Sequence, residues 1–404
     1  MMKRLDYLHF DKKYMESDIL KEFSQEVVDT VGNFHKSFKE YEPTPLVELK
    51  ELAAYIGVKN VFVKDESHRF NLNAFKVLGG SFAVAKYVAA KLNVDIKTVD
   101  YDWLTSDEVK KQLDGLTIVT ATDGNHGRGI AWTAKELGMH AKVFMPKGST
   151  QARADHITKL GSEVQITEWN YDDTRRHAVK IAEENGWAII QDTTWEGYEE
   201  IPLWTMQGYT TMASEAREQL EEFGIKKPSH LFLQAGAGSL AGAISGYFTE
   251  YYKEKLINTT IIEPATANGL FKTAEQNNGG LYFAKGDLKT IMAGLSVGEP
   301  CTVGWTILDK YASNFISCDD SFSAKGCRVL GNPIGNDERI VSGESGSVGI
   351  GVLVELMTNP AYIQAKEALK LDKNSEVLIF STEGDTDEDM YRKIVWDGYC
   401  PSTE

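Results

Sequence analysis

Three stretches of the chain set residues capable of chemistry in unusual company. In Asn73-Ala-Phe-Lys76-Val-Leu-Gly79-Gly80-Ser81 a lysine stands beside an aromatic and among small residues, where a helix is expected to start. A single lysine is most simply a solvated charge. Held in a confined pocket, its amine could instead form a Schiff base with a carbonyl cofactor. Thr120-Ala-Thr-Asp123-Gly124-Asn125-His126-Gly127-Arg128-Gly129 gathers Asp, Asn and His among three glycines. It falls where a strand should give way to a helix, the usual ligand position in open α/β sheets. Such a set can hold a planar polar ligand and place a base beside it, although Asp-Gly-Asn is also an ordinary turn.

The third stretch is Gly236-Ala237-Gly238-Ser239, which follows the apolar run Leu231-Phe-Leu-Gln-Ala and opens an Ala/Gly-rich helix. Backbone N–H groups at such a turn, with the positive end of the helix, make an anion site. Small residues let a phosphate approach the backbone. Taken alone, the turn is equally well explained by packing. No Walker lysine follows it, which disfavours a nucleoside-triphosphate loop. Its glycines do not space as a dinucleotide fingerprint in a first β-α unit, so nicotinamide binding is a weak rival even with Glu263 at the end of the next strand.

Positioning these residues requires alternating strands and helices. Strands are expected over 60–66, 116–122, 142–146, 163–167, 187–192, 231–236, 260–264 and 377–382, with helices over 74–92, from 124 onward, 150–160, 172–185 and 202–223. That alternation implies parallel β-α-β units with helices on both faces, hence an α/β protein. The polar segment 93–115 reads as a surface insertion.

Composition narrows the function. The 404 residues carry 43 basic and 59 acidic side chains, a net charge of −16, which argues against nucleic acid or an anionic membrane as partner. No apolar run reaches the length of a membrane span, and the charged N-terminus lacks the core of a secretion signal. Cys301, Cys318, Cys327 and Cys400 show no CxxC spacing, and free thiols in a cytoplasmic protein are expected. The histidines form no HxxxH or HExxH pair, so no protein-built metal site is expected.

Taken together, and in this order, the three motifs resemble the fold type II pyridoxal-phosphate enzymes, the tryptophan-synthase-β type, over about 45–385. The resemblance implies two open, parallel-rich α/β domains with the active site between them. The larger would combine 1–83 with 198–404, and the smaller would be 84–197. It implies pyridoxal 5'-phosphate as cofactor, with Lys76 as the Schiff-base lysine, Asn125 facing the ring and Gly236, Ala237, Gly238 and Ser239 cradling the phosphate. Ser381 or Thr382 is expected at the pyridine nitrogen, with Thr382 preferred.

A narrower resemblance, to the diaminopropionate ammonia-lyases of this class, rests on ATDGNHGRG, NAFKVLGGSFA (73–83), QDTTWEGYEEIP, GLSVGEP (294–300) and SGESG (342–346). Serine and threonine dehydratases, the alternative, usually carry a hydroxyl residue where Asp123 stands. The resemblance implies elimination on L- and D-2,3-diaminopropionate to pyruvate and ammonia. Lys76 and Asp123 would act on opposite faces of the substrate and Asp192 near its distal ammonium. His126 and Tyr171 are pocket candidates; His126 is expected to support the loop. The only partner expected is a small amino acid, and the assembly a homodimer.

Overall fold

A computed structural model describes residues 5–401. In chain order the strands are β1 Leu5–His9, β2 Leu46–Glu48, β3 Asn60–Asp65, β4 Thr117–Ala121, β5 His140–Met145, β6 Glu163–Ile166, β7 Ala188–Ile189, β8 His230–Gln234, β9 Asn258–Pro264, β10 Asn314–Cys318 and β11 Glu376–Ser381. They form a seven-stranded sheet, ordered β1-β10-β9-β8-β11-β3-β2, and a four-stranded sheet, β6-β5-β4-β7. The first draws its strands from both ends of the chain and the second from the middle. The small sheet is wholly parallel, as are the five inner strands of the large one, while β1 and β2 run antiparallel at its edges.

Apolar residues on successive positions explain why the inner strands are buried on both faces. Val61 and Val63 of β3 face one hydrophobic cluster with Val377 and Ile379 of β11, whereas Phe62, Leu378 and Phe380 face the other. Helices must cover both faces of such a sheet. Each fully buried Val, Leu, Ile or Phe contributes ~1.5–3 kcal/mol relative to exposure. The small sheet repeats the pattern, with Val119 and Phe144 on one side and Val143 and Met145 on the other.

Most expected elements are present, and the departures have physical causes. β1, β2 and β10 were not expected. Leu5–His9 is only half-buried and owes its strand to tertiary pairing, from Leu5 opposite Cys318 to His9 opposite Asn314. The run 187–192 yields only the two-residue β7, because the Gln191 side chain takes over the ladder: its Oε1 accepts from Ala121 N at 2.9 Å and its Nε2 donates to Ala121 O at 2.8 Å. The helix expected over 202–223 breaks at Tyr209 into Glu200–Gly208 and Thr210–Glu222. The segment 93–115 is more than a surface insertion, since Leu104, Val109 and Leu113 anchor its short helices in the main core.

Candidate active site

The cleft lies where the carboxyl ends of β8 and β11 meet the loops that follow β4 and β7. It is lined by Lys76, Asp123, Asn125, Tyr171, Asp192, the 236–239 turn and Thr382. Sites in open α/β sheets sit at such strand ends.

Lys76 is the first residue of the helix Lys76–Leu92. The chain reaches it through Phe70, Asn71 and Asn73, all at positive φ, a conformation that costs a non-glycine residue roughly 1–3 kcal/mol and persists only where its surroundings enforce it. Those surroundings are visible. Arg69, fully buried, donates to Glu66 and to Glu215, and the Asn73 side chain donates to Asp385 at 3.2 Å. The helix then passes close to its neighbours: a Cβ at Gly129 would stand 2.9 Å from Val77 Cα. Gly127 packs on Thr122 in the same way. Two of the three glycines around Asn125 therefore serve close packing, not a ligand.

Lys76 Nζ donates to Asp192 Oδ2 at 2.7 Å. Burial alone would lower the ammonium's pKa, but the carboxylates of Asp192 and then Asp123 hold it above its ordinary value. Burial would likewise raise Asp192, yet His126 and Lys76 hold it down at about 2. Asp192 thus stays charged in a buried site. Asp123 differs. Burial, which the Lys76 and Arg153 charges only partly offset, pushes its carboxyl above the usual range. Its Oδ2 is buried without a hydrogen-bond partner, and the nearest cation, Arg153 Nη1, is 3.8 Å away. That leaves the oxygen, at the lining of the cleft, free to accept from a bound group.

His126 lies beneath the site and does not line the cleft. Its Nε2 faces Ile190 O at 3.1 Å and its Nδ1 sits 3.8 Å from Asp192. Burial lowers its pKa. Tyr171 lines the cleft, with its hydroxyl 3.4 Å from Asp192 Oδ1 and accepting from Gln191 Nε2 at 2.8 Å. Burial pushes its phenol well up.

The 236–239 turn joins β8 to the helix Ser239–Tyr252. Gly238 has φ +98°, and a Cβ at Gly236 would meet Gly294 O and Leu295 Cα at 3.2 Å. Both positions therefore require bare backbone. The first N–H groups of the helix have no partner within it and point out at its positive end. The Ser239 hydroxyl donates to Asp192 O at 2.6 Å, so the cradle is tied directly to the acid loop.

Thr382 follows β11 and lines the cleft, its Oγ1 accepting from Gln234 Nε2 at 2.9 Å. Ser381 points the other way and donates to Ser342 Oγ at 2.8 Å. Strand alternation alone separates these two hydroxyls. Gly343 and Gly346 do not line the cleft; a Cβ at Gly346 would stand 2.9 Å from Thr382 N.

Sequence reasoning missed several members of the site. Glu383 and Ser345 line the cleft, Arg153 stands behind Asp123, and Gln191 and Gln234 fix Tyr171 and Thr382. Glu383 could have been noticed as an acidic residue beside Thr382 at a strand end. Gln191 and Ser345 lie inside QDTTWEGYEEIP and SGESG, but nothing in those stretches singled them out, and Arg153 and Gln234 carried no local signal. Among the described residues no cluster of His, Cys, Asp or Glu could hold a metal ion, and no helix is long and apolar enough to cross a membrane.

Comparison with known proteins adds four findings. The family described as pyridoxal-phosphate dependent enzyme matches residues 38–382. The diaminopropionate ammonia-lyase of Escherichia coli K12 is 47% identical over 388 residues, covering 96% of each chain. A crystal structure of that E. coli enzyme in complex with D-serine superposes with a TM-score of 0.92 at 44% identity, covering 100% of this chain and 99% of that one. A probable D-serine dehydratase of Rhizobium etli is more distant, 28% identical over 56% of this chain and 50% of its own length.

Proposed function

The chain belongs to the pyridoxal-phosphate-dependent enzymes, and from that premise we propose that it is the carbon–nitrogen lyase that eliminates ammonia from 2,3-diaminopropionate. Diaminopropionate and water give pyruvate and two molecules of ammonia. The observation that carries this reading is a half-buried lysine paired with one carboxylate, Asp192, and sharing its cleft with a second, Asp123.

The residues fit the cofactor. Lys76 offers an amine to its carbonyl carbon, the 236–239 turn offers backbone N–H groups to its phosphate, and Asn125 and Thr382 offer polar groups to its ring. The bare backbone demanded at Gly236 and Gly238 is what a phosphate cradle needs. Bound there, pyridoxal phosphate supplies an electron sink for the charge that develops at the substrate's Cα.

The protein's own groups place the substrate and move protons. Lys76, once its amine is free, takes a proton from one face of Cα, and Asp123 serves the other face, which admits the D-isomer. Burial raises its pKa above the ordinary carboxylate range, which makes it a stronger base than a solvated aspartate. Asp192, held ionised, attracts the distal ammonium; keeping that nitrogen protonated makes it a better leaving group. His126 braces Asp192 from below. The neutral hydroxyl of Thr382 does not fix a proton on the ring nitrogen as a carboxylate would.

The same reading places the domain boundaries at 84 and 197, with closure of the two units around substrate to exclude water. It makes the protein a cytoplasmic homodimer. A serine or threonine dehydratase is disfavoured by Asp123. The test is ammonia released per pyruvate from L- and D-diaminopropionate and from L-serine, offered separately to cofactor-loaded protein. Diaminopropionate should be preferred, with about two ammonia per pyruvate by the stoichiometry of the elimination. Preference for serine would overturn the assignment.

A further inference from the structure

Glu383 is a buried acid that the reaction above does not use. It follows Thr382 at the end of β11, is 1% exposed, and lines the cleft. All of its recorded partners are donors. Its Oε2 accepts from the Asn125 side-chain Nδ2 and, at 3.4 Å, from Thr386 Oγ1; its Oε1 accepts from Ser345 N at 3.2 Å. Its backbone is knotted into the same surroundings. The Glu383 carbonyl accepts from Gly343 N at 2.9 Å, and Glu383 forms an isolated antiparallel bridge with Ala74, two residues before Lys76. One residue therefore ties together the lysine segment, the Asn125 turn and the 342–346 loop.

The consequence for Asn125 is specific. A primary amide has a donor end and an acceptor end that differ by a half-turn about the last side-chain bond. A carboxylate can only accept, so it holds the NH₂ end towards itself and repels the carbonyl end. With one N–H committed to Glu383, what the nitrogen has left to offer the cleft is its second N–H. The 3-oxygen on the ring of pyridoxal phosphate is an acceptor and needs a donor.

We propose that Glu383 is a positioning residue that locks the Asn125 amide with its donor end available to the cofactor ring. The assignment rests on the cofactor reading given above. Were Glu383 merely structural, its removal would destabilise the protein without tuning the bound cofactor. As a positioning residue, it acts on the cofactor's electronic spectrum, and it does so only through Asn125.

The test compares absorption spectra of cofactor-loaded wild-type protein with those of Glu383→Leu, Glu383→Gln, Asn125→Ala and the double variant Asn125→Ala/Glu383→Leu. Glu383→Leu should displace the visible band and raise the half-saturating cofactor concentration about tenfold, the loss of one oriented hydrogen bond. Glu383→Gln, which keeps an oxygen able to accept from Asn125, should restore most of the wild-type band. Asn125→Ala should displace the band as well, and adding Glu383→Leu to it should change nothing further. If Glu383→Leu fails to fold, the smaller shift of Glu383→Gln must vanish in the Asn125→Ala background. A band unmoved in Glu383→Leu, or an equal further shift in the double variant, overturns the assignment while leaving the cofactor reading intact. A wild-type protein that takes up no cofactor overturns both.

Discussion

The two walls of the cleft are built from different materials. The 236–239 turn is backbone: four small consecutive residues, fixed by the end of β8, the start of a helix and the close approach of Gly294 and Leu295. The facing wall is side chains, with Lys76, Asp123, Asp192 and Glu383 each arriving from a different segment. In the proposed function the first wall binds through dipoles that need no charge and do not titrate. The second depends on charges taken out of water, where each is worth more than at the surface and where each alters its neighbours. Changes to the cradle should therefore act chiefly on cofactor binding, and changes at Asp123 and Asp192 chiefly on turnover with the cofactor already bound, with Glu383, which acts through Asn125, the exception on the charged wall.

The sharpest break of that contrast is Lys76→Ala. It should remove the absorption band of the attached cofactor and leave no measurable turnover, while the cradle still binds the phosphate reversibly. Equilibrium dialysis with pyridoxal phosphate checks the second half. Next in size is Asp192→Asn, which takes from Lys76 the charged partner at 2.7 Å and leaves a half-buried ammonium facing a neutral amide. Turnover of diaminopropionate should fall by roughly 10²–10³-fold, the range for losing one fixed electrostatic stabiliser. A variant within threefold of wild type under the same assay would contradict that role for Asp192.

Asp123→Asn divides the charged wall further. With no hydrogen-bond partner for its buried Oδ2, Asp123 has little structural work to lose. The D-isomer should lose about 10²-fold more activity than the L-isomer, because Lys76 still serves the other face. Equal losses would sink the face assignment. Gly238→Val tests the opposite wall. A branched residue at φ +98° with its Cβ 3.0 Å from Leu270 Cδ1 strains the cradle. At roughly 1–3 kcal/mol of strain, half-saturation by cofactor should rise about 10–100-fold, with kcat at saturation little changed. A fall in kcat without a change in cofactor affinity would blur the distinction between the two walls.

The same contrast explains what the sequence made legible. The 236–239 turn was legible as a candidate anion site because its four small residues are contiguous at a strand–helix junction. Lys76 and Asn125 were legible as members of local motifs. Arg153, Gln191, Gln234 and Ser345 were not singled out, because their roles exist only across distant segments: Gln191 reaches Tyr171 across 20 positions and Gln234 reaches Thr382 across 148. Thr382 and Ser381 are chemically alike and adjacent, and only the strand's alternation aims one at the cleft and the other at Ser342. Among the larger elements, β1 escaped detection for a related reason. Its half-buried residues become a strand through pairing with β10, about 300 residues away, not through any pattern of their own.

Glu344 shows how far the charged wall's influence extends, and offers the smallest of the expected effects. It opens the helix Glu344–Thr358, with its Oε2 3.9 Å from Arg153 Nη2. Burial first, and then the charge of Glu383, push its carboxyl up to about 7 from an ordinary 4.5. A carboxyl raised in the folded state contributes its full stability below the unfolded value and loses it as pH rises through the folded one. Wild-type protein should therefore carry a penalty that grows between about pH 4.5 and 7 and is constant above that, with an upper bound of ~3 kcal/mol. Glu344→Gln removes the titration but keeps the shape. Its Tm should match wild type near pH 4.5 and exceed it by a few degrees at pH 8.5. A Glu344→Gln protein whose Tm tracked wild type at both pH values would show that Arg153 neutralises this acid fully, and that the strain of the charged wall ends at Asp123 and Glu383.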